Sequence, residues 1–216
     1  MSTIVKICGL RNAEAVAAAL AAGADMVGFV FFPRSPRNVS VAEAAALAEA
    51  LRGRAEIVAL TVDADDATIA AIRDGLKPDW FQLHGRETPE RVADIRRLAG
   101  TQVMKAIGVG EPADLARHAP YAPVVDRLLF DAKPPKGAPL PGGNGVAFDW
   151  DILAAGAGGR PFMLSGGLDP DNVGGAVARL SSTPGFLGVD VSSGVERAPG
   201  EKDVGKIAAF LAAARA

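Results

Sequence analysis

The chain has 216 residues, of which 49% are hydrophobic and 22% charged, with 23 Lys and Arg against 25 Asp and Glu. A disordered chain is rich in charge and poor in apolar residues, so this composition predicts a globular fold with a sizeable core. The net charge of −2 gives no sign of binding to nucleic acid or an anionic membrane, and a single cysteine cannot form an internal disulfide. Because we find neither a secretory signal pattern nor an apolar stretch long enough to span a bilayer, we expect a cytoplasmic protein.

Short apolar runs alternate with helical segments along the whole chain. The first run, Ile4 to Cys8, stops at Gly9, and Asn12 can cap the alanine-rich helix that follows. Ser40 begins a later helix and forms a capping box with the glutamate three residues on. The predicted strands are 4–8, 26–32, 57–62, 79–83, 102–107, 127–131, 161–164 and 188–191. The predicted helices are 12–22, one that begins at 40, and 67–75, 88–98, 112–117, 150–155, 170–180 and 204–214.

Eight strand–helix pairs divide the 216 residues into units that average 216/8 = 27. The strands are continuously apolar, as strands of a parallel sheet covered by helices must be. This arithmetic predicts a single (β/α)8 TIM barrel with eight parallel strands over residues 1–216. A doubly wound open sheet is the alternative, but it usually has roughly five to seven strands, and the first βα turn lacks a GxGxxG motif.

Two segments rich in glycine and serine follow the last two predicted strands. They read Ser165-Gly166-Gly167-Leu168 and Ser192-Ser193-Gly194-Val195. In a barrel, exposed backbone N–H groups at these two positions form a phosphate cup together with a short helix N-terminus. The alternative is that the glycines only make tight turns. We expect a phosphate to bind at Gly166, Gly167, Ser192, Ser193 and Gly194.

Cys8 and Asp131 each end a predicted strand, where the active site of a barrel lies. A catalytic thiol needs a nearby cation or helix N-terminus that lowers its pKa, and Lys6 is two residues earlier on the same face. A buried structural cysteine is the alternative for Cys8, and a loop-capping carboxylate is the alternative for Asp131. The long segment 132–146, rich in Pro and Gly, favours a functional lid and therefore a working acid at Asp131.

Three further polar residues lie at predicted strand ends. Arg37 offers a planar fork for a carboxylate or phosphate, although a solvated surface arginine is the more common case. Gln82 and His84 flank the end of the fourth strand, and His84 can bond either a substrate or the neighbouring loop.

The sequence has no histidine or carboxylate cluster with metal-ligand spacing and no nucleotide-binding motif. We therefore expect no metal and no cofactor.

Taken together, these motifs resemble the phosphoribosylanthranilate isomerase family of tryptophan biosynthesis. The resemblance covers residues 4 to about 203, in the family order. The matching stretches are Lys6 to Asn12, Gly28 to Phe31, Ser35 to Arg37, Gln82 to Gly85, Asp131, Phe148 to Trp150, Ser165 to Leu168, and Val189 to Glu196.

The resemblance implies an Amadori rearrangement, the third step of tryptophan synthesis from chorismate. N-(5-phospho-β-D-ribosyl)anthranilate would become 1-(2-carboxyphenylamino)-1-deoxy-D-ribulose 5-phosphate. By the same resemblance Asp131 is the general acid, Cys8 is the general base, and Arg37 binds the anthranilate carboxylate. Gln82, His84 and Asp190 complete the implied substrate-binding set. The family is compatible with a monomer or a homodimer.

Two departures and two rival functions remain open at this stage. Asn144 and Val146 stand where many relatives have another pattern, and Asp63 stands where Asn is common, so these residues could tune substrate contacts or a lid. The rivals are a related sugar-phosphate isomerase of histidine biosynthesis, and a non-catalytic phosphate-binding barrel or thiol sensor. The histidine-pathway chemistry uses aspartates after strands one and five, whereas this chain has Cys8 and no acid there.

Overall fold

In the computed structural model, eight parallel strands close into a barrel in chain order. The structure describes residues 3–133, 142, 148–156 and 158–216. Because β1 pairs with both β2 and β8, the barrel prediction is confirmed and the open-sheet alternative is wrong. The strands are β1 (Ile4–Cys8), β2 (Met26–Phe31), β3 (Glu56–Thr61), β4 (Trp80–Leu83), β5 (Gln102–Val109), β6 (Arg127–Ala132), β7 (Phe162–Leu164) and β8 (Phe186–Val191).

The helices between strands begin where the sequence supplies caps. Asn12 accepts a hydrogen bond from the backbone N–H of Ala15, and Ser40 forms the predicted capping box with Glu43. These contacts satisfy backbone donors that the first turn leaves without partners. The helices are α1 (Ala13–Ala21), α2 (Val41–Ala48), α3 (Asp66–Leu76), α4 (Pro89–Ala99), α5 (Asp151–Gly156), α6 (Val173–Leu180) and α7 (Val204–Ala213).

Three elements differ from the sequence-based expectation. The segment Pro112–His118, predicted as a weak helix, is a 3₁₀ helix. The helix expected from Pro170 begins only at Val173, because the Asp169 carboxylate accepts from the N–H groups of residues 171 and 172 and makes a turn first. After β8 the chain adds a 3₁₀ turn and a small antiparallel hairpin that the sequence analysis did not predict. These elements are Ser193–Val195, β9 (Glu196–Ala198) and β10 (Glu201–Lys202).

Near the amino ends of the strands, apolar side chains inside the barrel surround one buried arginine, Arg127, whose Nη1 lies 3.3 Å from Sδ of Met26. Met26, Trp80, Met104 and Met163 belong to a buried cluster inside the barrel. Cys8 packs nearby with Val30 and Leu60 in a smaller cluster, while a larger core fills the space between strands and helices. None of the helices in the described part of the chain has the length and apolar character needed to cross a bilayer. The fold therefore presents its polar side chains at the carboxyl ends of the strands, where we look for the site.

Candidate active site

A single pocket at the carboxyl ends of the strands contains ten of the eleven residues predicted for the site; Gly194 is the exception. Its walls are also apolar, with Val30, Phe32, Leu60, Val62 and Leu168 exposed to the space. A pocket of this kind, apolar with a few convergent polar groups, is typical of small-molecule sites. The predicted residues therefore meet in one place, and the geometry of each group decides what it can do there.

Cys8 lies at the last position of β1, next to a fully buried ion pair. The Nζ atom of Lys6 is 2.7 Å from Oδ1 of Asp190, whose Oδ2 accepts from the Ser165 hydroxyl at 3.1 Å. Burial raises the pKa of the Cys8 thiol, and the Lys6 ammonium opposes that shift without cancelling it. The cation required for a catalytic thiol is present, but the expected lowering of the thiol pKa is not found.

Asp131, His84 and Gln82 form a chain of contacts on the opposite side of the pocket. Nε2 of His84 is 3.1 Å from Oδ2 of Asp131, and Nδ1 of His84 is 3.1 Å from the Gln82 amide nitrogen. Because an amide nitrogen only donates, Nδ1 of His84 is the acceptor in the contact with Gln82. The Oε1 atom of Gln82 is buried and has no partner among the described residues.

The two glycine–serine loops lie against each other at the pocket mouth. Gly166 has φ +89°, and a Cβ there would lie 2.3 Å from the Ala132 nitrogen, so only glycine fits. A Cβ at Gly194 would lie 1.9 Å from the carbonyl oxygen of Leu168, which brings the second loop onto the first. The N–H groups of Gly166 and Gly167 donate to no acceptor in the part of the chain that the structure describes. Free amides in two adjacent loops suit an anion such as phosphate.

Arg37 is buried beside the pocket and is held by a residue that sequence reasoning did not select. Its Nε and Nη2 atoms lie 2.7 and 2.9 Å from the two carboxylate oxygens of Glu196. Glu196 also lies 2.8 Å from Nζ of Lys202, and the two cations lower the pKa of Glu196 although its burial acts in the opposite direction. The only sequence signal for Glu196 was its place at the end of the family stretch Val189 to Glu196, because the hairpin that carries it was not predicted. Arg34, the neighbouring arginine, is exposed.

Other residues singled out in the sequence have structural roles or lie outside the described residues. Lys105 is buried and bonds Glu87 at 3.0 Å and the carbonyls of Leu83 and Gly85, so it supports the loop after β4. Asp63 lies two residues beyond β3 with φ 49°, and its carboxylate accepts from the backbone N–H at position 86. It therefore shapes a loop.

The segment proposed as a lid is described only in part. Residues 134–141 and 143–147, including Asn144 and Val146, are outside the described residues. Gly142 lines the pocket next to His84 and Asp131. No group of three or more potential metal ligands occurs within the described ranges.

A closed (β/α)8 barrel with two glycine loops at the carboxyl ends of its last two strands is typical of the class of enzymes that act on phosphorylated small molecules. Comparison with known proteins identifies the member of that class. The family model of N-(5'phosphoribosyl)anthranilate (PRA) isomerase matches residues 5–213. The chain belongs to this family, and it catalyses the isomerisation of phosphoribosylanthranilate in tryptophan biosynthesis.

Individual relatives agree with the family model. The N-(5'-phosphoribosyl)anthranilate isomerase of Afipia carboxidovorans is 58% identical over 216 residues, which cover 100% of this chain and 91% of that protein. A phosphoribosyl anthranilate isomerase in complex with reduced 1-(o-carboxyphenylamino)-1-deoxyribulose 5-phosphate is 32% identical, with a TM-score of 0.82 and 98% of each chain covered. Monomers made from the dimeric enzyme of Thermotoga maritima are 33% identical, with a TM-score of 0.80 and 98% of each chain covered.

Proposed function

We propose that Asp131 and Cys8 perform the two proton transfers of the isomerisation, as general acid and general base. The observation that carries this proposal is that both side chains line one pocket, together with the two glycine loops. The reaction needs an acid at the ring oxygen and a base at C2, and it needs no redox step. A positioned proton donor or acceptor contributes about 10²–10⁴-fold to such a rate.

In the first step Asp131 gives its proton to the furanose ring oxygen as the C1–O bond breaks. The lone pair of the anilino nitrogen forms the C=N bond, which yields a protonated imine. The Nε2–H of His84, 3.1 Å from Asp131, stabilises the carboxylate that this step leaves behind. Gln82 holds the histidine ring in the tautomer that can donate.

In the second step the Cys8 thiolate takes the proton from C2. The C2–H electron pair forms the C1=C2 bond and neutralises the imine nitrogen, giving an enolamine. The enolamine becomes the ketone when C1 gains a proton and the C2 hydroxyl loses one. Lys6, whose Nζ bonds Asp190 on the same face of the barrel, offsets part of the effect by which burial raises the pKa of Cys8, and so makes the thiolate easier to form.

Two anchors hold the substrate at its ends while the middle reacts. The loops at Gly166, Gly167, Ser192, Ser193 and Gly194 take the 5'-phosphate, and Arg37 takes the anthranilate carboxylate. The apolar wall at Val30, Phe32 and Leu60 accepts the aromatic ring. Gln82 Oε1 and the Asp190 carboxylate accept hydrogen bonds from sugar hydroxyls. Fixing both ends of the substrate places C1 and C2 between the acid and the base. Anchors of this kind increase the rate mainly by holding the reacting groups in position.

Protection of the thiol tests this proposal directly. Iodoacetamide alkylation of Cys8 is followed with and without reduced 1-(o-carboxyphenylamino)-1-deoxyribulose 5-phosphate, and binding is measured by calorimetry. We expect the analogue to bind and to slow alkylation at least about tenfold. Inorganic phosphate at matched ionic strength is the control ligand. Tight binding without protection would contradict the position of Cys8 at the reacting carbons.

Among the rivals, the histidine-pathway isomerase is disfavoured by the residues at the strand ends. The inward positions of β5, Ala106 and Gly108, carry no acid. A non-catalytic barrel would bind the analogue but would not consume phosphoribosylanthranilate. A turnover assay with the purified protein distinguishes such a barrel from an isomerase. Cytoplasmic localisation and a monomeric or homodimeric state stay predictions.

A further inference from the structure

Glu196 and Lys202 pair across the β9–β10 hairpin, next to the pocket but outside the barrel strands. Their side chains are only 5% and 1% exposed, and Nζ of Lys202 lies 2.8 Å from Oε1 of Glu196. The same ammonium donates to the carbonyl oxygen of Ser192 at 2.8 Å. The pair therefore connects the phosphate loop to the arginine beside the pocket.

Glu196 fixes the direction of the Arg37 side chain. It occupies Nε and Nη2, while Nη1 has no acceptor among the described residues. Because the guanidinium is planar, two bonds to one carboxylate set the plane of the whole group. The backbone N–H of Gly200 donates to Oε2 of Glu196 at 3.2 Å and holds the carboxylate in place. Arg37 is also one of the residues that line the pocket.

On the side of the pocket that holds Cys8, the buried ion pairs contain three cations and two carboxylates. Lys6 and Asp190 neutralise each other, whereas Arg37 and Lys202 share the single carboxylate of Glu196. Because two cations share one carboxylate, a further anion placed in the pocket beside Arg37 would be stabilised. The substrate carboxylate, the substrate phosphate and the Cys8 thiolate are the anions that the proposed reaction supplies.

Lys202 approaches Cys8 through the phosphate loop. The Ser192 hydroxyl donates to the Cys8 carbonyl at 3.2 Å and lies 3.4 Å from Nζ of Lys202. The other charged groups near the thiol are Lys6 from β1 and Asp190 from β8, and His84 and Asp131 lie across the pocket. The Lys202 ammonium favours the thiolate, and Glu196 in turn favours the ammonium although burial lowers the pKa of Lys202.

We propose that Glu196 and Lys202 are positioning residues for the isomerisation. Glu196 sets the direction in which Arg37 meets a carboxylate, and Lys202 supplies charge that favours the Cys8 thiolate. Neither residue needs to touch the substrate. The inference rests on the proposed roles of Arg37 and Cys8, so its two parts are tested separately.

The first test follows Cys8 alkylation by iodoacetamide against pH and requires no turnover. The variants are Lys202→Met, Lys202→Arg and, as the control in the same hairpin, the exposed Glu201→Gln. We expect Lys202→Met to move the midpoint to higher pH and to slow alkylation at pH 8 at least about threefold, while the arginine variant restores it. An unchanged midpoint in Lys202→Met would overturn the role of Lys202, whether or not the protein turns over substrate.

The second test separates KM from kcat in Glu196→Gln. We expect KM to rise about tenfold and kcat to change less than about threefold, because a charged hydrogen-bonded contact is lost from the group that binds the carboxylate. In a protein that already carries Arg37→Ala, Glu196→Gln should cause no further increase in KM. An equal loss with and without Arg37 would overturn the positioning role. Should Glu196→Gln not fold, Glu196→Asp makes the same prediction, since the shorter side chain cannot hold both nitrogens.

Failure of the proposed function gives a different result. If the wild-type protein turned over no substrate, the second test could not begin and the function would be wrong. The thiol titration would still decide whether Lys202 acts on Cys8.

Discussion

Nε2 of His84 lies 3.1 Å from Oδ2 of Asp131, and the Gln82 amide nitrogen contacts Nδ1 on the other side of the ring. A hydrogen bond to a charged acceptor is about twice as strong as one between neutral groups. The contact therefore strengthens as Asp131 gives up its proton. An interaction that becomes stronger as the reaction proceeds toward its transition state accelerates the reaction.

Replacing His84 by asparagine should lower kcat about 10–100-fold with a smaller change in KM. The loss corresponds to about 1.5–3 kcal/mol for a hydrogen bond to a charged group. Steady-state kinetics with phosphoribosylanthranilate measures both constants. His118→Asn is the matched control, because His118 is the only other histidine and lies outside the pocket. Equal kcat in the two variants would remove His84 from the proton transfer.

Arg37→Ala should raise KM at least about tenfold, because a charged contact to the anthranilate carboxylate is lost. The exposed Arg34 offers the control, since Arg34→Ala removes the same charge three residues away. Initial rates across a range of substrate concentrations give the comparison. If both variants kept the wild-type KM, the carboxylate would bind elsewhere.

The raised pKa of Cys8 predicts the direction of the pH profile. Burial stabilises the thiol, and only the thiolate can accept the C2 proton. The rate of Cys8 alkylation by iodoacetamide, which depends on the thiolate alone, should therefore increase with pH through the ordinary thiol range near about 8.5 and continue upward beyond it. Rates are measured in overlapping buffers at constant ionic strength. A plateau in the alkylation rate reached below about pH 7 would contradict the raised pKa of the Cys8 thiol.

The buried pair of Lys6 and Asp190 should matter for folding as well as for the site. Lys6→Met leaves the Asp190 carboxylate without its cation, which costs about 3–5 kcal/mol of unfolding free energy. The double variant with Asp190→Asn should be less destabilised than Lys6→Met alone, since no charge remains buried. Urea unfolding gives these values. Arg97→Ala, which breaks the exposed pair with Asp94, should stay within about 1 kcal/mol of the wild type.

Much of the barrel could be predicted from local sequence. Continuous apolar runs marked the strands, and side-chain caps such as Asn12 and Ser40 marked the helix starts. The start of α6 was misplaced because Asp169 forms a competing turn through its own side chain. The β9–β10 hairpin was missed because strands of three and two residues carry no readable period.

Some features of the site could likewise be predicted from local sequence, and others depend on contacts between distant parts of the chain. Glycine–serine loops and strand-end residues such as Cys8 and Asp131 are local signals, and they were found. The pairing of Gln82 with His84 follows from alternation along a strand, but its direction toward Asp131 depends on β6, far away in the chain. The bonds between Arg37, Glu196 and Lys202 depend on tertiary packing alone. No spacing rule in the sequence predicts them.

The most direct test of the account compares the wild type with Cys8→Ala at equal concentration, using the fluorescence decay of phosphoribosylanthranilate generated in situ. The account predicts rapid decay with the wild type and a loss of at least about 10²-fold in kcat for the variant. Affinity for the reduced product analogue should change little, because Cys8 acts on a proton and does not anchor the ligand. Near-normal turnover by a folded Cys8→Ala variant would contradict the assignment of Cys8 as the base.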